Sequence, residues 1–139
     1  MARMRVPVLS AKAPQPSSAY SQAKIVGNLL VTSGYLGIDP DGSGAVRGGF
    51  AAELVRALDN VTAVLAEAGC DWDGVIRINV SLTDIGRFAE MDSIFARYAV
   101  ALYPTRNTIG VYSLWGGGQV GSDVWALQPG SRADNGPPT

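Results

Sequence analysis

Arg106 stands in Pro104-Thr105-Arg106-Asn107-Thr108-Ile109-Gly110-Val111, at the entrance of an extended apolar run. The chain has no histidine and a single cysteine, Cys70. The commonest general base is therefore absent, and with it nearly all chemistry in which histidine activates a nucleophile. Any catalysis has to rest on arginine, carboxylates, hydroxyls and backbone groups. A guanidinium is always charged and carries five donors in a planar fork, which grips a carboxylate through two parallel hydrogen bonds. Fixed at a strand entrance, Arg106 is the best anion handle in the sequence; a structural salt bridge at a strand end is the competing reading.

Other chemistries find little support. A lone Cys70 forms no intramolecular disulfide and no cysteine-based zinc site, and between Gly69 and Asp71 it reads as a small buried filler. Asp39-Pro40-Asp41-Gly42 lacks calcium-loop spacing and reads as a turn, so no metal is expected. The glycines from Gly42 to Gly49 are not followed by the Lys-Ser/Thr of a phosphate-binding loop. No cofactor is expected.

Eleven basic and twelve acidic residues leave a net charge of -1, and Arg47, Arg56, Arg77, Arg87 and Arg97 are scattered. Nucleic-acid binding needs clustered positive charge, so no nucleic-acid partner is expected. There is no apolar run of about 18 residues, and Met1 to Ser10 has no signal-peptide core, so no membrane partner and a cytoplasmic location are expected. At 139 residues the length fits a single domain, and only 17% of residues are charged. That is low for a small domain covering its own surface, and burial between subunits accounts for it.

The elements that must position Arg106 can be read from periodicity and punctuation. Residues from about 1 to 19 form an irregular arm with Pro7, Pro14 and Pro16. Ala23–Val26 and a strand from Leu29 to Leu36 flank Gly27-Asn28, a two-residue hairpin signal. Gly34 interrupts the second strand, which predicts a bulge or a close approach to the backbone. Phe50 to Ala68 is an amphipathic helix closed by Gly69, with Glu53, Arg56, Asp59 and Glu67 on its solvated side. Ile76, Ile78, Val80 and Leu82 mark the core face of a strand, and Asp84 is placed to cap a second helix from Phe88 to about Leu102. Asn107 to Leu114 and Val120 to Leu127 are strands on either side of a Trp115-Gly116-Gly117-Gly118-Gln119 turn. A tail runs from about 129 to 139. There is no internal repeat. This order predicts an α+β sheet with both helices on one face.

Four stretches in this order resemble the RidA (YjgF/YER057c) family of enamine/imine deaminases. They are Tyr20-Ser21-Gln22-Ala23; Val31-Thr32-Ser33-Gly34 with the Asp39-Pro40 loop; Leu65-Ala66-Glu67-Ala68-Gly69 followed by Val80-Ser81-Leu82-Thr83-Asp84; and Pro104 to Val111. The match covers about Tyr20 to Leu127. The resemblance implies a chorismate-mutase-like fold, with a mixed six-stranded sheet and two helices on one face. It also implies a homotrimer with clefts between subunits.

By the same resemblance Arg106 holds the substrate carboxylate, and Asp123 takes the place of a glutamate that orients the attacking water. Tyr20, Ser33, Gly34 and Thr108 then shape the substrate site. Asp123 is one methylene shorter than the family residue and follows a longer glycine turn, so it reads either as the catalytic carboxylate or as a polar residue on a strand. Thr108 stands where the best-known members carry cysteine, Asp92 falls near a family asparagine, and Ser18-Ala19 replaces Gly-Pro.

The first expectation is hydrolytic deamination of 2-aminoacrylate-type enamines and imines to a 2-oxo acid and ammonia. The departures motivate a second: an enzyme of a biosynthetic or catabolic pathway acting on a larger imine, enamine or carbonyl intermediate. A non-catalytic trimeric binder of carboxylate metabolites is a third.

Overall fold

A computed structural model describes residues 6–99 and 102–130. The elements are β1 (Val6–Val8), β2 (Ala23–Val26), β3 (Leu29–Thr32), β4 (Tyr35–Leu36), β5 (Ile38–Asp39), β6 (Gly44–Ala45), α1 (Phe50–Glu67), β7 (Val75–Leu82), α2 (Phe88–Phe95), β8 (Thr105–Gly110) and β9 (Val120–Leu127). Strand order in the main sheet is β1-β2-β3-β9-β7-β8, with β4 also on β9, while β5 and β6 form a small separate hairpin. The β7–β8 pair is parallel and every other pair antiparallel, so the sheet is mixed.

The sheet has seven strands rather than the expected six. Periodicity alone marks five, and two local causes add the other two. The run from Leu29 to Leu36 divides in two, because between the pairs Val31↔Trp125 and Tyr35↔Ser122 it holds three residues against two in β9. Ser33 still donates its backbone N–H to Gln22 O, leaving Gly34 as the extra residue of a bulge. The expected irregular arm also contributes a strand, β1, antiparallel to β2. Gln22 secures this arm: fully buried, it accepts from the Ser10 N–H and donates to the carbonyls of Ser10 and Pro14 at 3.0 and 2.9 Å. Residues 1–5 of the arm, and the expected tail from 131 onward, lie outside the described residues.

The hairpin at Gly27-Asn28 forms as predicted, with Gly27 at φ 63°. In β7 the alternation is broken near its start. The register shifts between Val75 and Arg77, so Val75 is buried and Ile76 is 42% exposed. Val75, Ile78, Val80 and Leu82 therefore form the core face, joined from β9 by Val120, Val124 and Ala126. The apolar stripe of α1, Leu54, Leu58, Val61 and Leu65, packs over these residues beside Met91, Ile94 and Phe95 of α2.

The second helix is shorter than expected and ends at Phe95. Tyr98 instead packs edge-on to Trp72 and donates its hydroxyl to Asp59 of α1 at 2.8 Å. Asp84 caps the short 3-10 turn Ile85–Arg87 ahead of α2 rather than α2 itself. The strand expected from Asn107 to Leu114 begins earlier, at Thr105, and stops at Gly110, where its pairing with Leu82 runs out.

Glu53 is not on the solvated side of α1. It is buried, and its carboxylate accepts the backbone N–H of Gln119 at 2.9 Å and the Gln119 side-chain amide at 2.6 Å. These bonds replace the water the charge loses on burial and tie α1 to the end of the glycine turn.

Candidate functional site

Arg106 lies on β8, an edge strand of the sheet. Its register partner Ile78 belongs to the core face, so the Arg106 side chain is on the helix side of the sheet. There α2 holds it three ways. Its Nη1 donates to Asp92 Oδ1 at 2.7 Å, and its Cζ sits 5.2 Å from the Phe88 ring centroid and 5.7 Å from that of Phe95. Two aromatic rings and one carboxylate surround the guanidinium, and the side chain as a whole is 22% exposed.

Thr108 follows two residues along on the same side of β8, beside Val80. Its Oγ1 is buried and has no hydrogen-bond partner among the described residues. A hydroxyl left so costs about 1–3 kcal/mol, and a bound acceptor would recover it. Ser122 Oγ, on the other flank of Val80, is likewise buried and unpartnered.

Asp123 belongs to the opposite, open face. It pairs in register with Asn79, whose side-chain amide donates to Asp123 Oδ2 at 3.0 Å. Trp125, two residues on, shares that face and is 41% exposed. The Ser33-Gly34 bulge lies directly across from Asp123, so those three residues are neighbours. Both donors of Ser33 are committed, the hydroxyl to Ser21 O at 2.6 Å and the N–H to Gln22 O at 2.9 Å. At Gly34 an added Cβ would meet nothing within 4 Å among the described residues, so none of them requires a glycine there.

Tyr20 and Gly34 line one cleft of about 980 Å³, together with Tyr35, Leu36, Glu53 and Trp115. Trp115 is 73% exposed at the tip of a turn carried by Gly116 and Gly117, both at positive φ. Gln119, held by Glu53, seats the far end of that turn. Burial, and secondarily the neighbouring Tyr20, pushes the Tyr35 hydroxyl well above the usual tyrosine range, and it donates to Gln22 O.

The single chain thus forms three groupings: Arg106 with Thr108, Asp123 with Ser33 and Gly34, and Tyr20 with Gly34. It does not bring Arg106 to Asp123.

A sequence model described as endoribonuclease L-PSP, the RidA/YjgF family, matches residues 10–127. The chain belongs to this family. It is 36% identical over 121 residues to a bovine (Bos taurus) protein named 2-iminobutanoate/2-iminopropanoate deaminase, covering 87% of this chain and 88% of the relative. Among solved structures, RidA from an Antarctic Psychrobacter superimposes with a TM-score of 0.84 at 35% identity, covering 88% of this chain and 99% of that one. Yeast Mmf1 gives 0.85 at 31% identity, covering 89% and 98%. Two helices on a mixed sheet are the architecture this RidA/YjgF chain shares with them.

Several residues around these groupings escaped sequence reasoning. Phe88, Asp92 and Phe95 fall at i, i+4 and i+7 and so share one helix face. Nothing in that spacing says what the face meets. The strand after the helix turns all three into a socket for Arg106. Asn79 gave no signal, because an alternating strand shows which residues avoid the core but not what they face.

Proposed function

We propose that this RidA/YjgF chain hydrolyses small reactive imines and their enamine tautomers, of the 2-aminoacrylate type, to a 2-oxo acid and ammonia. The reading includes no cofactor, a cytoplasmic setting, and a homotrimer whose sites lie between subunits. The observation that carries it is the Arg106 guanidinium, packed against two rings and beside a hydroxyl unpartnered among the described residues. It is supported by the name and 36% identity of the bovine relative.

Arg106 grips the substrate carboxylate and Thr108 Oγ1 donates to it. Asp123, oriented by Asn79 at Oδ2, accepts from water through Oδ1. The water oxygen bonds to the imine carbon and its first proton passes through the carboxylate to nitrogen, giving a carbinolamine; the hydroxyl proton then follows by the same route as the C–O bond becomes a carbonyl, and the C–N bond breaks as ammonia leaves. One water is consumed and no electrons are transferred. Tyr20, Ser33 and Gly34 shape the other wall. Arg106 and Asp123 occupy opposite faces, so a shared site takes each from a different copy. Ile109 and Trp125, exposed on the open face, are the kind of surface a subunit contact covers. RNA cleavage is not part of the reading, since the chain has neither histidine nor a basic patch.

A coupled assay tests this: an amino-acid oxidase generates imines of several sizes and their loss is followed. Wild type accelerates the loss, and Arg106→Ala lowers kcat/KM by about 100-fold, the scale of a lost charge-assisted pair. No acceleration by wild type would refute the reading.

The cleft favours a second substrate class. Arg106, Thr108 and Asp123 do not line it, but Gly34 joins it to the Asp123 grouping, and Trp115 and Tyr20 in its walls would receive the far end of a longer substrate. On that reading the substrate is a larger imine, enamine or carbonyl intermediate, and imines from aromatic amino acids turn over faster than those from alanine.

A further inference from the structure

We propose that Asp92 is a specificity-determining residue that weakens and directs the grip of Arg106 on a carboxylate; this rests on Arg106 being the carboxylate handle. The Asp92 Oδ1 to Arg106 Nη1 contact is 2.7 Å. A guanidinium offers a carboxylate two useful edges, the end-on pair Nη1/Nη2 and the side-on pair Nε/Nη2. Asp92 takes one of the two Nη1 hydrogens and leaves the side-on edge Nε/Nη2 whole for a bidentate ligand. Phe88 and Phe95 flank the guanidinium, their ring centroids 5.2 and 5.7 Å from Cζ.

The charge matters as much as the edge. Asp92 already neutralises Arg106 locally, so an incoming carboxylate meets an ion pair rather than a bare cation, with a second anion a few ångströms away. Asp92 is 55% exposed, so water screens this repulsion without abolishing it. The expected result is a site that takes 2-imino and 2-oxo monocarboxylates along one direction, with modest affinity, and releases its 2-oxo acid product readily. Asp92 touches no reacting atom; it acts through Arg106.

Asp92→Asn tests this, because asparagine keeps an acceptor oxygen for Nη1 and removes only the charge. Binding of 2-oxobutanoate is measured by calorimetry, which needs no turnover, alongside KM and kcat on the matching imine. The variant should bind 2-oxobutanoate about 3- to 10-fold more tightly and lower KM by the same factor, with kcat changed less than about twofold. Binding of the uncharged 2-oxobutanamide should not tighten. Unchanged or weaker binding of 2-oxobutanoate by Asp92→Asn would overturn the proposal, and so would equal tightening toward the amide. Adding Arg106→Ala should erase the gain. If Arg106→Ala alone binds 2-oxobutanoate as wild type does, or if no form binds it, Arg106 is not the handle and this proposal falls with it. Tightened binding without turnover would instead overturn only the deaminase reading.

Discussion

Arg106 and Asp123 lie on opposite faces of one sheet, two strands apart. Ile78 pairs in register with both Arg106 and Val124, while the next residue, Asn79, pairs with both Asn107 and Asp123. Strand spacing puts their backbones roughly 10 Å apart, with side chains leaving in opposite directions. No rotamer change brings the carboxylate to the guanidinium within a single copy.

Mixing inactive variants should therefore restore activity. Arg106→Ala and Asp123→Ala are each expected to be inactive alone. Co-refolded in equal amounts, they should recover activity at about a quarter of sites, the chance that a cyclic interface pairs an intact arginine with an intact aspartate. Imine loss in the mixture, compared with the sum of the separate variants, is the measurement. No recovery would mean that the two residues do not serve one site across an interface.

Asp123→Asn should lower kcat by about 100-fold with KM nearly unchanged, because it removes proton acceptance and leaves Arg106 intact. A rise in KM with kcat preserved would move Asp123 from chemistry to binding.

Glu53→Ala should destabilise the fold by about 1–3 kcal/mol, since it leaves both Gln119 donors without their buried acceptor. Chemical denaturation reads this loss. Trp115 emission should change as well, because the turn loses its anchor; an unaltered spectrum would show that the turn holds itself.

Tyr98 tests a pH effect. Burial, and secondarily the hydrogen bond to Asp59, raise its folded-state pKa above the ordinary value of 10.0. A raised folded pKa means that the contribution is fully present below the unfolded pKa and is lost as pH rises through the folded one. Wild type should thus lose stability above about pH 10, and Tyr98→Phe should lose less over that range. Parallel denaturation curves for the two proteins across pH 9 to 11.5 check it, on the scale set by the unfolded tyrosine pKa of about 10. Equal slopes would refute the assignment.

Legibility from sequence followed how much each element depends on itself. α1 and the Gly27-Asn28 hairpin carry their own periodicity and turn chemistry, and both form as read. β1 has three residues and a proline, so only pairing with β2 makes it a strand. Ile76 keeps perfect alternation on paper, yet a register shift against β9 expels it. Of the candidate site, the positions of Arg106 and Asp123 could be picked out by motif, but their faces could not. One face is set by parallel register with β7 and the other by antiparallel register, and neither pairing leaves a mark in composition. Glu53 was misplaced because its partner, Gln119, lies 66 residues away.

Gly34 is an extra residue against β9, as Ile76 is at the register shift in β7. Remove it on paper, and Thr32, Ser33 and Tyr35 fall into unbroken alternation opposite Val124, Asp123 and Ser122, each keeping its face. The core would not register the deletion. Strand pairing makes no use of this residue, and the space beside it is open.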